Sequence, residues 1–171
     1  MSFTIHAGQS INLNTPAKLA GAATPLTDFV IGLTWGEVFA EDKNSNTIDV
    51  DAMVLLLNAD GQVTGDHDFI FYNQLSHPSG GVIHNGDDII GGTIDETIQI
   101  HIDRLPESIV EIALLMSIDD AITNGARFHL IENPTVFVLT TDNNGELDEL
   151  CNSPIVVANP ETVTTAIVAR L

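Results

Sequence analysis

The chain has 171 residues, of which 44% are apolar, and its 24 acids against 5 bases give a formal charge of −19. That length suits one domain with a substantial core, and the apolar share excludes a disordered acidic tail. The sign of the charge excludes binding by phosphate neutralisation and attraction to anionic membranes, so no nucleic-acid partner is expected.

The single cysteine, Cys151, excludes an intrachain disulfide and a thiolate zinc cluster. No run of eighteen apolar residues occurs, so no membrane insertion is expected. The first ten residues show neither a basic region nor an apolar run of signal length, which fits a cytoplasmic protein.

Along the chain, alternation and β-branched residues dominate. Phe3 to His6 and Ser10 to Leu13 read as short strands, and Asp28 to Trp35 as a strand of interleaved small and large residues. Ile48 to Leu57 begins by alternating, becomes continuously apolar and meets Asn58-Ala59-Asp60-Gly61, a hairpin signal. Phe69 to Tyr72, Thr97 to Ile102, Val110 to Ile118, Thr135 to Thr141 and Thr162 to Ala169 continue the pattern. Asp142-Asn143-Asn144-Gly145 reads as another hairpin turn. The best helical stretch is Asp119 to Gly125, with acids at its start and glycine at its end. Roughly ten short strands and so little helix predict an all-β fold, a two-sheet β-sandwich with one or two short helices. Residues 1–171 read as a single domain.

The acids are not evenly spread. In a strand, Asp49 and Asp51 share one face about 7 Å apart, a repulsion that a bound cation would reverse. The alternative is a solvent-facing strand edge. Asp66-His67-Asp68 repeats the spacing just before Phe69-Ile70-Phe71-Tyr72, and Asn73 follows with an amide oxygen suited to a hard cation. The densest cluster is His84-Asn85-Gly86-Asp87-Asp88, then Gly91-Gly92, then Asp95-Glu96, with no Lys or Arg between. A glycine-rich loop of carboxylates and carbonyls suits calcium, which takes six to eight oxygens in flexible geometry. Zinc prefers His or Cys ligands. None of the six histidines, His6, His67, His77, His84, His101 and His129, shows metal-pair spacing, so each is expected on the surface or in packing. No EF-hand pattern, phosphate loop, nucleophile elbow or dinucleotide fingerprint occurs.

These segments resemble the TerD family. Ile48 to Ala52 (IDVDA) is similar to its F-D-L-D-A strand, and Asp68 to Asn73 (DFIFYN) to its D-F-I-F-Y-N-N segment. Ser76 to Asp88 is similar to its glycine-rich S-P-D-G-S-V-x-H-x-G-D-N loop, Asp95-Glu96 to its D-D-E, and Ile109 to Ala121 to its I-x-F-x-V-T-I-x-E-A element. The likeness is strongest over residues 30–139. It implies a sandwich with acidic metal-binding loops at one end, tellurium resistance or stress response as the setting, and no catalytic activity. The calcium ligands it implies are Asp49, Asp51, Asp68, Asn73, Asp87, Asp88, Asp95 and Glu96, with Asp120 a weaker candidate.

The chain departs from the family pattern in a shorter loop between Asp88 and Asp95, in His129 where glycine is usual, and in ending before a G-E-W-K-F hairpin. These departures suggest one calcium ion rather than two and an unpaired strand edge. Protein partners or self-association are expected, and the alternative function is a self-assembling structural subunit stabilised by calcium.

Overall fold

The computed structural model describes residues 3–4, 6–9, 26–36, 49–86, 94–141 and 146–171. Ten strands are described: β1 (Phe3–Thr4), β2 (Asp28–Thr34), β3 (Val50–Leu57), β4 (Phe69–Ile70), β5 (Val82–His84), β6 (Glu96–His101), β7 (Glu111–Ile118), β8 (Thr135–Thr141), β9 (Leu147–Pro154) and β10 (Thr165–Arg170). They form a six-stranded sheet in the order β1-β9-β8-β2-β6-β5 and a four-stranded sheet in the order β10-β7-β3-β4. Every pairing is antiparallel except that of the two-residue β1, which runs parallel to β9.

The alternation expected for β3 is present, with Val50, Ala52, Val54 and Leu56 buried and Asp51, Met53 and Leu55 half-buried on the other face. Its inward residues meet Ile112 and Leu114 of β7, Ile70 of β4, and Ile31, Leu33, Ile98 and Ile100 of the opposite sheet in one core. Each sheet has an apolar face to remove from water, which is what makes the two sheets close on each other. Fully burying one such side chain stabilises by about 1.5–3 kcal/mol.

Strand β2 is different: Phe29 to Leu33 are all buried. It is central in the larger sheet, and its outer face is covered as well. A Cβ on Gly32 would lie 3.2 Å from Ile94 Cγ2 and 3.3 Å from Leu139 Cδ1, so the glycine makes room for that cover.

A second cluster of Val50, Met116, Ile118, Ala121, Ala126, Phe128 and Ile131 closes the end where β3 begins and β7 finishes. Its lid includes α1 (Ala121–Asn124), a single turn within the expected helical stretch. Gly125 ends it at φ 74°, in the left-handed region that glycine occupies without steric cost.

Among the described residues the expected strands recur, Thr135–Thr141 with the same bounds and the others shifted by one to three residues. Two strands, β5 and β9, were not expected. The expected Ser10 to Leu13 strand and Asp142 to Gly145 turn lie outside the described residues. Asn58 does form a tight turn: its Oδ1 accepts from the backbone N–H of Asp60 and Gln62, both at 3.0 Å. β4 pairs only later, after the 3₁₀ turn Asp66–Asp68.

Candidate functional site

Register brings the acids of distant segments to one end of the sandwich. Asp49 precedes β3, and Asp51 is opposite Ser117 of β7 on the outer face. Asp49 Oδ1 accepts from Val50 N at 3.0 Å, and its carbonyl accepts from Asp119 N at 2.9 Å, which draws the Asp119-Asp120 turn to the same place. Asp120 has φ 49°, a left-handed conformation that aspartate tolerates better than most residues. Asp95 and Glu96 open β6 at this end: Asp95 Oδ2 accepts from Trp35 N at 2.9 Å.

Glu96 points inward and is 4% exposed. Its Oε2 accepts from Ala52 N, across the sandwich, at 3.1 Å, and lies 3.1 Å from His84 Nε2. His84 Nδ1 accepts from Gly86 N at 2.9 Å, so the ring proton sits on Nε2 and faces Glu96 and the Ala52 carbonyl, 3.0 Å away. A buried carboxylate needs such donors, because without them its desolvation is uncompensated. Residues 85–86 and 94–95, which flank the segment carrying Asp87 and Asp88, are both at this end; those two acids themselves lie outside the described residues.

Asp49, Asp51, Asp95 and Glu96 therefore share one end, but on two faces: Asp51 looks outward from β3, whereas Glu96 looks into the sandwich. Asp68 and Asn73 are elsewhere. Asp68 ends the 3₁₀ turn just before β4, whose pairs Val54–Ile70 and Leu55–Phe69 set it beside the far part of β3, about 17 Å along the strand from Asp51. Asn73 borders an open hollow of about 640 Å³ beside Leu55, Phe69 and Phe71.

Asp68 is 2% exposed. Its Oδ2 accepts from Thr64 N at 2.9 Å and from Thr64 Oγ1 at 2.6 Å. Its Oδ1 faces His77 Nε2 at 3.4 Å and His67 Nε2 at 3.6 Å. Burial pushes the Asp68 carboxyl up, but the Thr64 donors and the two imidazoles together hold it below the usual carboxylate range. Spacing in the sequence gave no hint of this cluster, because His67 and His77 are ten positions apart and meet only through the fold of residues 64–81.

Together these features define a two-sheet β-sandwich protein with an acidic end. The chain belongs to the TerD domain family, whose model matches residues 1–171. It is 31% identical over 140 residues to tellurium resistance protein TerD of Serratia marcescens, covering 81% of this chain and 71% of that protein. It is 30% identical over 149 residues to general stress protein 16U of Bacillus subtilis (strain 168), covering 86% and 73%. An uncharacterized B. subtilis protein, YceE, is 36% identical over 124 residues, covering 71% of this chain, which spans only 64% of that relative's length. The crystal structure of a homologue of the telluride resistance protein from Streptomyces coelicolor A3(2) superposes with TM-score 0.52 at 16% identity, covering 72% of this chain and 86% of that one, a likeness of fold.

Proposed function

We propose that the protein is a calcium-binding member of its family, acting in tellurium resistance or stress response without catalysis. The observation that supports this is the convergence of residues 49–51, 84–86 and 95–96 at one end of the sandwich, residues 84–86 and 95–96 flanking the segment that carries Asp87 and Asp88. Calcium suits this donor set, which is all carboxylate and carbonyl oxygen. Asp95 and Glu96 each spend one oxygen on a backbone N–H, and among the described residues Oδ1 of Asp95 and Oε1 of Glu96 accept no hydrogen bond. Asp49, Asp51, Asp87, Asp88, Asp95 and Glu96 are the residues that would hold calcium, Asp51 from the outer face of β3 and Glu96 from the inner side. Asp68 and Asn73 are set aside from it by distance.

The biological setting rests on the names of the relatives. The non-catalytic reading rests on the lack of any recognisable nucleophile or phosphate-loop pattern in the sequence. Among the described residues no helix is long and apolar enough to cross a membrane. A cytoplasmic location is part of the same proposal.

Isothermal titration tests the ion. Calcium is expected to bind with a Kd on the order of 10⁻⁷ to 10⁻⁴ M and more tightly than magnesium. Asp51→Asn and Asp87→Asn should each weaken it by about tenfold or more, equivalent to about 1.4 kcal/mol. Glu107→Gln, exposed and outside every cluster, should leave it unchanged. Equal calcium affinity in all four proteins overturns the assignment.

A further inference from the structure

His67, Asp68 and His77 offer one ligand atom each, all within 4.8 Å of one another, far along β3 from the acidic end. We propose that these three residues form a second metal site, for zinc, which clamps the two sheets together along their open side. This goes beyond the calcium reading and does not depend on it.

The spacing fits. Ligands about 2.0–2.1 Å from a tetrahedral zinc lie about 3.3 Å from one another. Asp68 Oδ1 is 3.4 Å from His77 Nε2 and 3.6 Å from His67 Nε2. Two imidazoles and one carboxylate suit zinc, whereas calcium takes oxygen donors.

Each ligand is also held by a neighbour. Thr64 fixes Asp68 through Oδ2 with two donors, which leaves Oδ1 for the imidazoles. Ser79 holds the His77 ring from behind, with its Oγ 2.7 Å and its N–H 3.2 Å from Nδ1, which turns Nε2 toward Asp68, where a bound metal would take the place of the ring proton. The His67 ring folds back over Gly65, where a Cβ would come within 2.7 Å of Cε1. Any larger residue at 65 would push the ring away from Asp68. His77 and Asp68 are buried while the His67 side chain is 53% exposed, so the cluster opens to solvent on one side, where an ion can enter and water can complete its shell.

Placement gives the site its role. Asp68 leads into β4, an edge of the four-stranded sheet, and His77 precedes β5, an edge of the six-stranded sheet. A metal bound to both ties the crossover between the sheets at its two ends.

The test uses the full chain in excess calcium chloride, so that any calcium site is filled beforehand, titrated with cobalt(II) chloride and then zinc chloride. One equivalent of cobalt should give visible d–d absorption, zinc should displace it, and zinc should raise the melting temperature by several degrees. His67→Gln alters a largely exposed side chain and should fold as the parent does, yet it should lose the absorption and weaken zinc binding by about tenfold or more. His77→Gln should do the same. Ser79→Ala should keep the absorption but weaken zinc binding by about tenfold, as expected of a residue that positions a ligand. His129→Gln should change nothing. Cobalt absorption or zinc affinity equal in His67→Gln and the parent overturns the proposal, as does the lack of either in the parent.

Discussion

Glu96 shows how one residue joins two roles. Its carboxylate is buried between the sheets and satisfied by Ala52 N and by His84. Truncation leaves the Ala52 N–H without its acceptor and the His84 ring with only the Ala52 carbonyl. Glu96→Ala should therefore cost about 1–3 kcal/mol, read from urea unfolding, on top of any loss of calcium binding. Glu96→Gln keeps an acceptor oxygen and should cost less. Asp28, at the surface, carries a pH dependence. His101 Nδ1, 2.5 Å from Asp28 Oδ1, and the Thr27 hydroxyl, 2.8 Å from Oδ2, hold its carboxyl below the ordinary value, with burial opposing weakly. A carboxyl lowered by folding adds stability above its unfolded pKa of about 3.9, and that stability is lost as pH falls through the folded value. Asp28→Asn should flatten unfolding free energy against pH in that acid range. At neutral pH it should cost no more than about 1 kcal/mol, because the pair is exposed.

Among the strands, β3 bears most of the consequences. It pairs with β7 over eight positions, from Val50–Ile118 to Leu57–Glu111, and with β4 at its far end. Its inner face anchors the core and its start carries Asp49 and Asp51, so core packing and ion binding share one rigid element. Leu56 is 0% exposed in the middle of the core. Leu56→Ala should cost about 2–5 kcal/mol by chemical denaturation, the sum of lost transfer energy and a cavity the two sheets cannot collapse around. Val110→Ala, 61% exposed just before β7, should stay within about 0.5 kcal/mol of the parent. A large effect at Val110 would mean that this face is covered in solution.

At the scale of the whole molecule, charge dominates. With 24 acids and 5 bases, the chain repels itself, and most where acids converge. A ligand that binds only the folded form stabilises it by RT ln(1 + [L]/Kd), about 2.7 kcal/mol at a hundredfold excess over Kd. Chelation with EGTA should therefore lower the melting temperature by several degrees, and salt should restore part of that loss by screening. A melting curve indifferent to both would reduce the acidic end to a solvated face. Size-exclusion chromatography with and without calcium addresses the alternative of a self-assembling subunit. Calcium-dependent association would favour it, since β10 and β4 are edges of the smaller sheet and edges invite pairing.

Much of the fold follows from the sequence alone. Alternating burial in β3 and the β-branched runs of β2, β6, β7 and β8 demand sheets with one face to hide, and two such sheets make a sandwich. The shared face of Asp49 and Asp51 is fixed by the same period of two. The weak strands were not legible: β5 is three residues long, and β9 reads Leu-Asp-Glu-Leu-Cys-Asn-Ser-Pro, without clean alternation. Their partners, β6 and β8, specify them more than their own residues do. The site divides in the same way. That acids at 49–51 and 95–96 belong together was implied by the family resemblance and not by the residues themselves. That Glu96 turns inward onto Ala52 and His84, that Asp68 lies some 17 Å along the strand, and that His67 and His77 close on it, was decided by register and crossover. Local patterns determine which face a side chain takes, but only pairing between distant segments determines which side chains meet.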